Sequence, residues 1–344
     1  MKKFEGYMHG VNLGGWLSQC SHVTEHYEKF ISEDDLMKIK SWGLDHVRVP
    51  VDYELVEDKD GNVKEGGYKY IDRAIEWCKN AGLNMILDLH RTYGYSFYEG
   101  YCEVGFFDDK PAQERFYKLW EQFATRYGNL GDSVSFELLN EVTDKDYCDR
   151  WNRIANECIK RIRAIAPTVK ILVGGYWNNS VESVTDLLAP YDENIVYNFH
   201  CYEPLAFTHQ GANWVNNMPD DFRMSYDHTM KEVSEITGTM FPEQTEKFLA
   251  NADNVSDMFG SRFYEKFFAD AIAYAEKQNV ALYCGEYGVI SNTDPTEIPK
   301  WYKGISAVFE KYGIGRAAWS YKWMNFGLTD PYIESVRDDV IKLL

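Results

Sequence analysis

The chain has 344 residues, 45 % of them hydrophobic, and a formal net charge of −18. This length allows either two ordinary domains or one α/β barrel with a large core. Because the acidic residues are spread along the whole chain and no basic stripe offsets them, we expect neither nucleic acid nor an anionic membrane as a partner. A neutral substrate fits this composition best.

The cysteines and the N-terminal residues give indications of the cellular compartment. The seven cysteines lie scattered in core-like segments without a CxxC pair, which predicts reduced, buried thiols rather than a disulfide framework. The opening MKKFEGYMHGVNLGGWL lacks the apolar stretch of a secretory signal, and no run of 18 apolar residues predicts a membrane helix. We therefore expect a monomer that is either cytoplasmic or secreted after removal of a leader.

Eight short apolar runs alternate with amphipathic segments along the chain. Helical spacing predicts helices over 32–43, 68–82 and 112–128, with Ser32 as the start of the first and Gly82 as the end of the second. Eight strands, each followed by a helix, predict a closed parallel sheet, the (β/α)8 TIM barrel. An open doubly wound sheet would need a GxGxxG turn after its first strand, which GVNLGGWL lacks. The predicted strands are 10–17, 46–51, 84–90, 134–141, 170–175, 196–202, 281–288 and 315–322.

One segment, residues 203–260, interrupts this alternation between strand six and its helix. It is too long for a simple connection, and the aromatic residues along it argue against disorder. We predict a single catalytic domain over 1–344, with 203–260 as a small inserted subdomain. At the C-terminal face of the barrel, this subdomain would cover the cleft.

Polar and aromatic residues stand towards the C-terminal ends of the predicted strands, where barrel residues point into one cavity. Each alone has an ordinary explanation: an Asn-Glu pair can cap a helix, a histidine can be a hydrogen-bonded core residue, and an arginine can be a structural ion-pair partner. Packing alone does not explain their joint occurrence at equivalent positions, so we predict a shared site. Its members are Arg48, His90, Asn140, Glu141, His200, Tyr202, Glu286 and Trp319.

The two glutamates, Glu141 and Glu286, end opposed strands and can face each other across the barrel mouth. A retaining glycosidase needs two carboxyl groups ~5–5.5 Å apart, one to attack the anomeric carbon and one to protonate the leaving oxygen. A cationic Arg48 and the phenol of Tyr202 would keep Glu286 ionised. Glu141, facing that negative charge, would hold its proton. The chemistry predicted is glycoside hydrolysis.

Three further side chains suit a sugar. Trp319 offers a flat apolar face to a sugar ring, and Asn140 offers a donor to a sugar hydroxyl. Trp177 is explained equally well as a second sugar platform and as a packed residue of the rim.

The motifs RVP (48–50), DLH (88–90), LLNE (138–141), HCY (200–202), CGEYGV (284–289) and AWSYK (318–322) resemble the signature blocks of glycoside hydrolase family 5, the cellulase family of clan A. The likeness covers essentially the whole chain, and it extends to clostridial-type endoglucanases with an insertion after strand six. It implies that Glu141 is the acid/base and Glu286 the nucleophile. The sugar subsite that it implies contains Arg48, His90, Asn140, His200, Tyr202 and Trp319.

The chain departs from many members of this family at RTYGYSFYEGY (91–101). Together with GGYWNN (174–179), that stretch would shape the subsites, so several substrates stay open. A retaining endo-β-1,4-glucanase acting on a neutral β-linked polysaccharide or oligosaccharide is the leading prediction. The alternatives are a β-mannanase, a β-1,3- or mixed-linkage glucanase, a xyloglucanase and a glucosidase acting on short oligosaccharides.

Two other classes of function fit the sequence less well. Metal-dependent barrel hydrolases typically open with an HxH pair on strand one, and GVNLGG has none, so we predict neither a metal ion nor a cofactor. A sugar-binding protein without activity is disfavoured because both carboxylates are present.

Overall fold

Eight parallel strands pair in chain order and close on themselves in this computed structural model, which describes residues 1–98 and 105–344. The predicted (β/α)8 TIM barrel is confirmed. Parallel strands are buried on both faces, which is why they read as near-continuous apolar runs. The strands are β1 (His9–Asn12), β2 (His46–Asp52), β3 (Asn84–Arg91), β4 (Val134–Glu137), β5 (Ile171–Gly174), β6 (Ile195–His200), β7 (Ala281–Tyr287) and β8 (Gly315–Ala318).

Helices and single helical turns connect the strands and surround the barrel. Within the described ranges, no helix is long and apolar enough to cross a membrane. The helical elements are α1 (Thr24–Lys29), α2 (Glu33–Ser41), α3 (Glu65–Ala81), α4 (Lys110–Tyr127), α5 (Cys148–Ile165), α6 (Tyr176–Asn179), α7 (Leu205–Thr208), α8 (Met230–Met240), α9 (Thr245–Ala250), α10 (Ser261–Phe267), α11 (Ala269–Gln278), α12 (Ile298–Tyr312) and α13 (Arg337–Ile341).

The predicted helix signals hold in α2 and α3. Ser32 and Asp35 form a capping box at the start of α2, and Gly82 ends α3 with φ of 69°. Helix α3 begins three residues earlier than predicted. Gly66 and Gly67 lie in its first turn, and the low helix propensity of glycine hides this start in the sequence. Gly67 is required there, since a β-carbon at this position would overlap the carbonyl oxygen of Leu55.

Strands β4 and β8 are shorter than predicted, ending at Glu137 and Ala318. The chain then leaves regular pairing but stays fixed, with the backbone N–H of Asn140 donating to the Leu89 carbonyl (3.1 Å). Between β6 and β7 the register shifts just before His200. Such irregularities re-aim side chains at the strand ends.

The cysteines of the described residues are free, and four of the six, Cys78, Cys158, Cys201 and Cys284, are buried. Cys102 lies outside the described residues.

Candidate active site

Two carboxyl groups face each other at the mouth of the barrel. Glu141 lies just beyond β4, and Glu286 is the next-to-last residue of β7. Nδ1 of His200 lies 2.8 Å from Oε1 of Glu141 and 3.7 Å from Oε2 of Glu286. One oxygen from each carboxyl group and this ring nitrogen all lie within 4.8 Å of one another. This separation is typical of retaining glycosidases, whose two carboxyl groups lie about 5–5.5 Å apart. Inverting enzymes need about 6.5–9.5 Å, which leaves room for an attacking water between the groups.

Arg48 supports Glu286 from beneath the site. It is the third of the seven residues of β2 and has no exposed surface. Its Nη1 donates to Oε1 of Glu286 (2.7 Å), while Nε and Nη2 donate to the two carboxylate oxygens of Glu137 (2.7 and 2.8 Å). Nη2 also donates to Oδ1 of Asn140 (3.0 Å) and lies 3.0 Å from Oδ2 of Asp88. Arg48 therefore reaches the site through Glu286 and has no exposed surface of its own, and its place in the sugar subsite stays a prediction.

Sequence reasoning missed two buried acids of this network, Glu137 and Asp88. They are register partners on β4 and β3, and both are fully buried. Burial raises the pKa of Glu137, and it raises the pKa of Asp88 to about 7. The signal was present in the sequence: acidic residues inside apolar strand runs need a buried cation, and Arg48 is one.

The hydrogen bonds to the two catalytic candidates are unequal. Glu286 accepts from the Arg48 guanidinium (2.7 Å) and from the hydroxyl of Tyr202 (3.0 Å). Glu141 accepts from the side-chain amide of Asn178 (2.9 Å), a neutral donor, and burial raises the pKa of Glu141. Glu286 therefore has a cationic donor, whereas Glu141 has a neutral donor and a raised pKa.

His200 lies between these carboxyl groups without adding a charge. Burial lowers its pKa to about 4, so the ring is neutral at physiological pH. Its contact with Glu141 holds that side chain in place rather than pairing with it as an ion.

Two groups in the described part of the chain have cation-ligand geometry: Glu141 with His200 and Glu286, and His22 with Asp52 and Glu54. In each group, an arginine guanidinium contacts one of the carboxylates and supplies positive charge where a cation would lie. Arg48 lies 2.7 Å from Glu286, and Arg91 lies 2.5 Å from Glu54.

The family model "Cellulase (glycosyl hydrolase family 5)" matches residues 8–325. This chain belongs to glycosyl hydrolase family 5. Cellodextrinase A of Ruminococcus flavefaciens is 44 % identical over 345 residues, which cover all of this chain and 94 % of that protein. Endoglucanase C of Acetivibrio thermocellus is 38 % identical, with 97 % of each chain covered. The solved endoglucanase Cel5A of Thermotoga maritima has the same fold, with a TM-score of 0.75 at 23 % identity and 98 % and 97 % coverage.

Two tryptophans predicted to bind sugar in this family 5 hydrolase, Trp319 and Trp177, differ in their exposed fraction. His90 stacks on Trp319 with ring centroids 5.8 Å apart, and His90 Nδ1 lies 2.7 Å from Oδ2 of Asp88. Trp319 is only 6 % exposed, whereas Trp177 is 48 % exposed. Of these two indoles, Trp177 is the exposed one, and its role as a sugar platform stays a prediction.

The stretch after His90 contacts the backbone around Glu141. Within it, the hydroxyl of Tyr95 donates to the backbone carbonyl of Glu141 (2.8 Å) and accepts from the backbone N–H of Thr143 (2.9 Å). Residues 99–101 of the same stretch lie outside the described residues.

The first part of the 203–260 segment also lies against the site of the hydrolase. Its Ala212 packs in one cluster with Trp319 and Phe326. The ring of His209 lies 5.0 Å from that of Tyr202 and 6.4 Å from that of Trp214, whose surface is half exposed.

Proposed function

We propose that this family 5 hydrolase cleaves β-1,4-glucan chains with retention of the anomeric configuration. Glu286 is the nucleophile and Glu141 the acid/base. The observation that carries the proposal is the close approach of the two carboxyl groups, with oxygens within 4.8 Å. The relatives named cellodextrinase and endoglucanase, similar over nearly the whole chain, support a β-1,4-glucan as the substrate.

The reaction has two displacements. In the first, the ionised Glu286 attacks the anomeric carbon while Glu141 gives its proton to the leaving oxygen, and a glycosyl ester forms on Glu286. In the second, the ionised Glu141 takes a proton from water, the water oxygen attacks the anomeric carbon, and the ester bond breaks. Both carboxyl groups return to their starting states.

The surroundings of the two carboxyl groups suit these roles. Arg48 and Tyr202 stabilise the charge of Glu286 before attack and again when the ester breaks. We expect Asn140 and His90 to offer polar atoms to the sugar, and Trp177, which is 48 % exposed, to offer an apolar face.

A panel of neutral polysaccharides and oligosaccharides tests the substrate class. We expect the highest kcat/KM on cellooligosaccharides and soluble β-1,4-glucan, with internal cleavage that lowers viscosity before much reducing sugar appears. Products resolved by size provide the measurement, with mannan, β-1,3-glucan, mixed-linkage glucan and xyloglucan as the competing substrates. Faster cleavage of mannan or of a β-1,3-glucan would assign one of the alternatives instead.

We also propose that residues 203–260 form an inserted subdomain that covers the cleft. Support comes from a small apolar cluster within the segment, formed by Ala206, Met218, Met240 and Phe241. Further support comes from the packing of its first part against Tyr202 and Trp319.

The half-exposed Trp214 tests this covering role. Replacing Trp214 with Ala should raise KM for cellotetraose roughly two- to tenfold with little change in kcat, if stacking on a sugar is worth as much as the about 0.5–1.5 kcal/mol of an aromatic pair. Initial rates over a range of cellotetraose concentrations provide the measurement. Met258→Ala is the matched control, since Met258 lies in the same segment and is 56 % exposed. Equal KM values for W214A and the unaltered enzyme would contradict the covering role.

A further inference from the structure

The turn after β5 has a backbone that ordinary residues rarely adopt. Trp177, Asn178 and Asn179 have φ of 50°, 56° and 56°, so three consecutive non-glycine residues are left-handed. Asparagine tolerates this region, but a bulky residue such as tryptophan does so at a cost in free energy. Such backbone persists only where the surrounding structure determines it.

Contacts on both sides fix this turn. The backbone N–H of Asn178 donates to the carbonyl of Val142 (2.9 Å), which directly follows Glu141. Asn179 is fully buried against Gly174, where a β-carbon would overlap its amide. The turn is therefore attached to the chain segment that carries the acid.

The consequence for Glu141 is that both of its oxygens are held. Asn178 Nδ2 donates to Oε2 (2.9 Å), and His200 Nδ1 lies 2.8 Å from Oε1. The carboxyl group cannot rotate without breaking one of these contacts. The carboxyl side chain is 12 % exposed, so water replaces a lost partner poorly.

We propose that Asn178 is a positioning residue for the acid/base, and that the left-handed turn exists to place its amide on Glu141. This inference rests on the proposed role of Glu141. The amide N–H stabilises the carboxylate form, so it opposes the effect of burial and strengthens Glu141 as an acid.

The turn also lies on the leaving-group side of the scissile bond, because the acid must face the leaving oxygen. We expect the exposed indole of Trp177, one residue from the amide that contacts Glu141, to face the sugar that departs. Because Asn178 acts through the acid, its contribution to kcat/KM should be larger for a leaving group that needs a proton than for one that does not.

Asn178→Gly tests this role, because glycine adopts a left-handed φ freely and removes only the amide. Loss of the donor raises the pKa of the acid, so the basic limb of the kcat/KM profile should move to higher pH by roughly one unit. At the plateau, kcat/KM for phenyl β-cellobioside should fall about tenfold. With 2,4-dinitrophenyl β-cellobioside, whose leaving group needs no proton, it should stay within about twofold.

Two further variants sharpen the result. Asn178→Asp fills the same space but has no N–H and adds a like charge, so its basic limb should move further in the same direction. Asn279→Gly makes the same change at an exposed left-handed residue that ends α11 (φ of 55°), and it should alter neither the limb nor the leaving-group dependence. An unshifted limb in N178G, or an equal loss with both leaving groups, would overturn the positioning role.

Glu141→Ala separates this inference from the proposed function. If Glu141 is the acid, E141A loses activity on phenyl β-cellobioside and keeps far more on the dinitrophenyl substrate. A variant E141A without that difference would refute the role of Glu141 itself. If E141A shows it and N178G does not, only the inference about Asn178 fails.

Discussion

A slow 2-fluoro β-cellobioside inactivator should add the mass of its sugar to the peptide that contains Glu286. The fluorine slows both displacements, and a good leaving group keeps the first one fast enough, so the ester on Glu286 accumulates. Mass spectrometry of the digested protein locates the label. Replacing Glu286 with Gln should abolish labelling and lower kcat by ~10⁴–10⁶-fold, as removal of a nucleophile does in other enzymes.

The stereochemistry of the first product provides an independent check on the same mechanism. Two displacements at one carbon restore its configuration, so proton NMR should show the β-anomer before mutarotation produces the α-anomer. Glu334→Gln is the matched control for the replacement of Glu286. Glu334 is an exposed glutamate outside the predicted site, so this variant should still be labelled normally at Glu286. The α-anomer appearing first, or a label on Glu141, would overturn the assignment of roles.

Replacing Arg48 with Met should strongly reduce both stability and activity. The substitution leaves Glu137, Asp88 and Glu286 in the barrel interior without their shared cation. Breaking a buried ion pair by removal of one partner costs about 3–5 kcal/mol, because the other charge stays buried and unpaired. Where the variant folds, the acid limb of its kcat/KM profile should move to higher pH, since the nucleophile loses a cation that favours its ionised form.

The stability of this variant should also depend on pH, with a definite sign. Carboxyl groups buried without a cation bind protons more tightly in the folded than in the unfolded state, as the raised pKa of Asp88 already shows in the presence of Arg48. Their protonation stabilises the fold at low pH, and that contribution is lost as the pH rises from the unfolded pKa through the folded one. The difference in free energy of unfolding between R48M and the unaltered enzyme should therefore grow from pH 5 to pH 8.

Denaturant unfolding at the two pH values measures this difference. Arg48→Lys is the control that keeps a cation but loses the two-pronged contact with Glu137, so its loss should be smaller and less dependent on pH. A folded R48M with an unshifted acid limb and unchanged stability would show that Arg48 does not support Glu286.

The sequence by itself determined the barrel and most of the site. Parallel strands buried on both faces produce apolar runs that can be counted, and the helices between them have their own periodicity and end signals. The topology then brings residues near the C-terminal strand ends to one place, so Glu141, His200, Tyr202 and Glu286 could be grouped without a distance. For these four residues, the strand order alone was enough to predict that their side chains lie near one another.

Only the tertiary structure decided the depth of each residue and the partners across the barrel. Arg48 is a site residue by pattern, yet its position in the middle of β2 places it below the cavity and among acids from β3 and β4. Asn178 carries no local signal for its role, because its left-handed backbone is imposed by contacts with Val142 and with the buried Asn179. Such contacts join segments that are distant in sequence, and their geometry depends on how the closed sheet is tilted and staggered. Residue order alone does not contain those distances.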